Sequence, residues 1–169
     1  GMDEATLARY IAFRPGGVTR SPGADWDKER REIAAFNAAA PVPLLVSCDL
    51  EGSRMSLAGG SEMPNPLALA AIDDVATTTE VSRIMAAEAR AVGINWSFTP
   101  VLDINAKFKS AIVATRGFGS DVATIERHAH QFQAVAVQYQ RRKRVGAAVA
   151  LHLQHRAHHG RVVLDVDVQ

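Results

Sequence analysis

The stretch Pro43 to Asn65, PLLVSCDLEGSRMSLAGGSEMPN, decides how the rest of the chain is read. Leu44, Leu45 and Val46 form a short apolar run without helical period. Such a run predicts a strand buried on both faces, as in a parallel sheet. It ends in Ser47 and Cys48, and a polar cluster of Asp49, Glu51 and Arg54 follows. Gly52, Gly59 and Gly60 then permit the tight backbone that a loop here needs. Acidic residues just past the C-terminal end of a buried parallel strand stand where α/β proteins keep their ligand sites. This gives an address for a site and not yet a chemistry.

Upstream, residues 3–13 predict a short amphipathic helix with Leu7, Tyr10 and Ile11 on one side. Pro15-Gly16-Gly17 breaks it, and Gly17 to Thr19 reads as a brief first strand. Asp25 is placed to cap a helix whose apolar stripe is Trp26, Ile33 and Phe36, and Pro41-Val42-Pro43 stops it. Downstream, Asn65-Pro66 opens a short helix through Ala71, proline fitting the first helical position. Thr77 to Glu80 has the form of a capping box, with Thr77 as the cap. The helix it starts buries Val81, Ile84, Met85, Ala89 and Val92, keeps Glu88 at the edge, and ends at Gly93. A strand is predicted over residues 94–98, a loop from Pro100 to Gly119, a helix from the Asp121 cap to about Tyr139, and a last strand at Gly146–Leu151.

Strand and helix alternate, the pattern of βαβ units around a parallel sheet. The polar clusters fall on the loops after strands: Asp49, Glu51 and Arg54, then Asp103, Asn105 and Arg116. A closed barrel and an open doubly wound sheet would both gather those loops on one face. No G-x-G-x-x-G follows a strand and there is no P-loop, so nothing points to a nucleotide, and no cofactor is expected.

Composition narrows the partners. The 169 residues carry a net charge of +1, too little for a global field toward nucleic acid or an acidic membrane. No apolar run approaches the ~20 residues that span a bilayer. GMDEATLARY lacks the basic start and apolar middle of a signal peptide, and the single cysteine, Cys48, forms no internal disulfide. A cytoplasmic protein is the expectation, and Cys48 is expected to be a packed, inert thiol.

Three loop motifs together resemble glycoside hydrolase family 3. PLLVSCDLEGSRMS resembles that family's D-x-E-G-G-R-V loop. AEARAVGINWSFTPVLDINAK resembles its E-L-R-A-x-G-I-N-x-x-F-A-P-V-x-D-v-N segment, and IVATRGFGSDVATIERHA its I-x-x-R-s-F-G-x-D-p loop and following helix. Pro15-Gly16-Gly17-Val18 also fits the family's first strand. The match spans residues 15–135 in order and spacing, and is most similar to the bacterial β-N-acetylglucosaminidase branch.

The resemblance implies an α/β fold, about the first half of a (β/α)8 TIM barrel, over residues 1–140. It implies that Asp49 is a substrate-binding residue, accepting hydrogen bonds from sugar hydroxyls, and that Arg116 reaches the bound sugar. Arg54 matches the loop arginine and Asp103 the acid after the third strand, both more architectural than catalytic. The expected activity is hydrolysis of terminal β-linked N-acetylglucosamine or glucose with retention, and the expected partner is carbohydrate. A half barrel would leave open edges, so homo-oligomers are expected as well.

The departures from the family matter as much. Ser53 replaces the second glycine after the glutamate, and Leu57 replaces a second arginine. Where the family has K-H-F-P-G-H-G, this chain has GAAVALHLQHRAHHGRVVLDVDVQ. Only A-A-V-A-L-H echoes the family, aligning His152 with its histidine and Leu151 with its lysine. Neither a nucleophile nor an acid/base group is matched, so weak or absent turnover is expected of a truncated chain. From Arg127 to Leu164 there is no acid, and that span holds all the histidines and the run Arg141-Arg142-Lys143-Arg144. Residues 141–169 are therefore set apart as an atypical tail, not native to the family. His152, His155 and His159 have helical i, i+3, i+7 spacing. Without acids nearby they read as a solvated run rather than as metal ligands.

Overall fold

The structure, a computed structural model, describes residues 2–106, 110–141, 155–158 and 161–164, with side chains over 2–106 and 110–133. The elements run α1 (Glu4–Ala12), β1 (Gly17–Thr19), α2 (Trp26–Ala39), β2 (Leu45–Cys48), α3 (Pro66–Ile72), α4 (Val75–Val92), β3 (Trp96–Ser97), α5 (Val122–Arg141), β4 (His155–His158) and β5 (Arg161–Leu164). They fall into two compact units, Gly1–Met63 with Ile84–Thr99, and Pro64–Arg83 with Pro100–Gln169. Among the described residues no helix is long and apolar enough to cross a membrane.

The first unit is built on a parallel sheet of order β1-β2-β3. Val18 pairs with Val46, Thr19 and Trp96 both with Ser47, and Ser97 with Cys48. Leu44, Val46 and Cys48 project to one face and are buried there. The other face does not match the expectation of burial on both sides. Ser47 is covered, but Leu45 is 52% exposed, and Trp96 and Phe98 are 46% and 49% exposed. A run of three apolar residues reports a hydrophobic strand but not how many layers cover it.

β3 is shorter than the predicted 94–98, for a local reason. The Asn95 side chain occupies the ladder: its Oδ1 accepts from Val46 N at 2.9 Å, and its Nδ2 donates to Leu44 O at 2.8 Å. A side-chain amide thus satisfies β2 where a strand backbone would have.

Asp25 caps α2 as predicted, accepting from Lys28 N. Ile33 and Phe36 are buried on its inner stripe, and so are Glu29 and Glu32, which the pattern did not reveal as core. Arg20, just after β1, resolves the paradox. Its guanidinium bonds Glu29 through Nε (2.5 Å) and Nη2 (3.0 Å), and also pairs with Glu32. Buried charges persist when paired in this way. Glu29 and Glu32 precede Ile33 and Phe36 by four residues each and so share their helical face, while Arg20 reaches them from outside the helix.

In the second unit, Asn65 caps α3 and Asp121 caps α5. The predicted capping box is displaced. Asp74, not Thr77, caps α4: its carboxylate accepts from Ala76 N, Thr77 N and Thr77 Oγ1. Glu80 turns instead to Arg83. An ionised carboxylate at the positive end of a helix outcompetes a hydroxyl three residues later. Phe118 is buried, stacked on the His128 ring (centroids 5.6 Å apart) and edge-on to Phe132. His128 Nδ1 and Thr78 Oγ1 lie 2.7 Å apart.

The end of the chain holds an antiparallel pair, β4 with β5. The strand predicted at Gly146–Leu151 lies outside the described residues, and so does His152. Of the set His152, His155 and His159, only His155 is among the described residues, and it sits on a strand rather than on a helix.

Candidate functional site

Strand β2 ends at Cys48, and the next three residues form an acidic corner in the first unit. Asp49 is half-buried, Leu50 is buried at 5% exposure, and Glu51 is buried at 2%. Cys48 donates its thiol to Asp49 O at 3.5 Å. Burial, reinforced by the nearby charge of Asp49, pushes the Cys48 thiol up to about 11. It is a neutral packing group at ordinary pH, as its sequence setting predicted.

Beyond Glu51 the chain closes a tight two-residue turn. Gly52 and Met55 form an antiparallel bridge, with Met55 N donating to Gly52 O at 3.0 Å. Gly52 has φ +84°, and Ser53 follows at φ +51°, a left-handed conformation that glycine would adopt without cost. The departure from the family therefore leaves the turn intact and places strain on Ser53. Arg54 sits at the tip and is exposed. Leu57, at the place of the second arginine, is buried, so this part of the loop contributes packing and no cation.

Four ties fasten this loop within its own unit. Ser53 N donates to Met63 O, and Trp26 Nε1 donates to Ala58 O at 2.8 Å. Ser61 donates its amide and its hydroxyl to Glu88 Oε1, at 2.9 and 2.6 Å. Thr99 Oγ1, just past β3, donates to Leu50 O, and Ser97 Oγ donates to Thr99 Oγ1 at 3.1 Å. Glu88, read from sequence as a solvent-reaching edge residue, is thus a loop anchor. Thr99 was not singled out at all, and a lone hydroxyl in Phe-Thr-Pro carries no pattern that would have found it.

In the second unit, Val101 and Gly117 form an isolated parallel bridge at the start of another strand-to-loop passage. Asp103 is exposed and Arg116 is half-buried, its N–H donating to Val113 O at 2.7 Å. Asn105 N donates to Gly119 O at 3.0 Å, drawing the two sides of this loop together. The structure thus gathers Asp49 and Arg54 on one loop of the first unit, and Asp103 and Arg116 on one loop of the second. Among the described residues no group of three His, Cys, Asp or Glu side chains could hold a metal ion. A cavity of about 340 Å³ beside α1 and α2, lined by Met2, Leu7, Lys28 and Glu32 among others, touches none of these loop residues.

A parallel strand that delivers a half-buried carboxylate just past its C-terminal end suits recognition of a ligand rich in hydroxyls. Each carboxylate oxygen accepts charge-assisted bonds from hydroxyl donors, and a fixed loop sets their direction.

Comparison with known proteins gives the family. Residues 21–168 match the glycosyl hydrolase family 3 N terminal domain, a match that runs on through the basic, histidine-rich end. The β-N-acetylglucosaminidase/β-glucosidase of Cellulomonas fimi is 38% identical over 94 residues, covering 55% of this chain and 17% of that protein. The β-hexosaminidase of Stenotrophomonas maltophilia is 33% identical over 176 residues, covering 99% of this chain and 48% of the other. Among solved structures, the β-glucoside phosphorylase BglX superposes with a TM-score of 0.69 at 28% identity, over 75% of this chain and 23% of that one. The chain thus spans less than half the length of each of these proteins. Its α/β architecture with parallel strands is a partial barrel of their kind.

Proposed function

The chain belongs to glycosyl hydrolase family 3, and on that premise we propose that its 169 residues carry a sugar-binding part of a retaining glycosidase. The substrate class is a terminal β-linked N-acetylglucosamine or glucose. The observation that carries this reading is Asp49: a half-buried carboxylate at the C-terminal end of the central strand, in the segment that matches the family's loop. Asp49 accepts hydrogen bonds from two sugar hydroxyls and Arg54 shapes its loop; for Arg116, whose loop Asp103 shapes, the family resemblance is what supports a role as a planar donor fork. Retention requires a carboxylate nucleophile that forms a covalent glycosyl intermediate, with a second group switching between acid and base. Neither is matched within this chain, and its own contribution is binding, with weak or no turnover.

The test is a calorimetric titration with N-acetylglucosamine and with glucose, beside incubation with an aryl β-N-acetylglucosaminide. Binding that falls at least tenfold in Asp49→Asn, without release of the aryl alcohol, is the expected result. Robust turnover that vanishes in Asp49→Ala would overturn the division between binding and chemistry.

A second reading is favoured by the exposed apolar side chains of the first unit's sheet: these residues act as an assembly module. Leu45, Trp96 and Phe98 lie on one face, and the rings of Trp96 and Phe98 are 5.0 Å apart. Self-association through such a face, or along the edges of β1 and β3 that are unpaired among the described residues, accompanies sugar binding or replaces it.

A further inference from the structure

We infer that Thr99 is a positioning residue for Asp49, aiming its carboxylate at the sugar by holding the Leu50–Glu51 peptide, one residue beyond it. The inference rests on Asp49 being the sugar-binding acid.

Leu50 lies between the two acids and its carbonyl belongs to the Leu50–Glu51 peptide, so fixing that carbonyl fixes the course of the backbone into Glu51 and limits how far the corner can turn about Leu50 next to Asp49. Thr99 Oγ1 holds that carbonyl from the end of the neighbouring strand, 49 residues away in sequence. The hydroxyl is itself held. Ser97 Oγ donates to Thr99 Oγ1 at 3.1 Å and accepts from Thr99 N at 3.3 Å, so the Ser97 and Thr99 side chains form a closed relay. Phe98 N donates to Cys48 O at 3.4 Å, the last rung before the acidic corner. Beyond that rung the sheet ladder stops, and the Thr99 hydroxyl bond takes over where backbone pairing ends. The other three ties grip the loop at Ser53, Ala58 and Ser61, all on the far side of Glu51. Of the four, the Thr99 bond alone acts on the Asp49–Glu51 segment.

The chemistry explains why such a bond matters. A carboxylate that must meet two hydroxyls at once discriminates by angle, and a rotated peptide displaces both oxygens together. Valine has the shape of threonine but offers a methyl group to a carbonyl that then lacks its donor. Serine keeps the donor and loses only the methyl.

The experiment measures N-acetylglucosamine affinity by calorimetry, with melting temperature and far-ultraviolet circular dichroism as folding controls. Thr99→Val is expected to weaken binding about tenfold, while Thr99→Ser binds within about twofold of the unaltered protein. Ser97→Ala, which removes the relay and leaves the Thr99 donor, is expected to weaken binding by about threefold. It supplies the reading should Thr99→Val not fold. Asp49→Asn separates the two ideas. If Asp49→Asn loses binding while Thr99→Val and Ser97→Ala bind normally, the positioning role is overturned and the sugar site stands. If the unaltered protein binds no sugar, or Asp49→Asn binds as well as it does, both are overturned. A loss in Thr99→Val that Thr99→Ser does not restore also overturns the assignment.

Discussion

Ser53 holds a left-handed backbone at φ +51° in the turn after the acidic corner. Side chains resist that region by roughly 1–2 kcal/mol, offset in part by the extra freedom that glycine has when unfolded. Ser53→Gly is therefore expected to stabilise the protein by up to about 1 kcal/mol, read as a higher denaturation midpoint in urea. Cys48 makes a second test at this scale. With its thiol pushed up to about 11 by burial, it should resist iodoacetamide at pH 8, reacting roughly a hundredfold more slowly than an exposed thiol. The unfolded chain ionises near the ordinary value of 9.0 and the folded chain only near 11. Stability is thus full below pH 9 and declines as pH rises from 9 toward 11. At this scale the sequence made the acids and the inert thiol legible, because their neighbours along the chain define them. It concealed the Arg20, Glu29 and Glu32 cluster, whose members meet only after β1 and α2 pack.

Helix starts show the competition between capping groups. Asp74 takes three donors at the start of α4, and Thr77, which has the sequence form of a cap, supplies two of them. The Thr77 hydroxyl and the Ala76 and Thr77 amides hold the Asp74 carboxyl below its ordinary value. Asp74→Ala is expected to lower the melting temperature by a few degrees at pH 7, against a smaller change for Thr77→Ala. A depressed carboxyl contributes fully above its unfolded value of 3.8, and the contribution disappears as pH falls through the lower folded value. The two variants should therefore converge in strong acid. Most elements were legible from periodicity and punctuation: α1, β1, α2, α3 and the Gly93 stop of α4 stand where predicted. The start of β3 was not, because Asn95 satisfies β2 with its side chain, and no propensity encodes that substitution.

For the molecule, alternation of strand and helix identified an α/β chain but could not separate a barrel from an open sheet, since both place polar loops at strand ends. The family motifs supplied that choice. Periodicity also could not show that one sheet face of the first unit would remain half open, with Leu45, Trp96 and Phe98 partly exposed. Such a face makes association concentration-dependent. Light scattering should give a mass above 18.2 kDa at high concentration, and Leu45→Lys should return it toward that value. An 18.2 kDa particle at every concentration would remove the assembly reading. The indole of Trp26, meanwhile, grips the carbonyl of Ala58 and so couples an ultraviolet chromophore to the segment behind the acidic corner. With Trp96→Phe leaving it as the sole strong emitter, the colour of the protein's own fluorescence becomes a label-free gauge of whether that segment is seated or adrift.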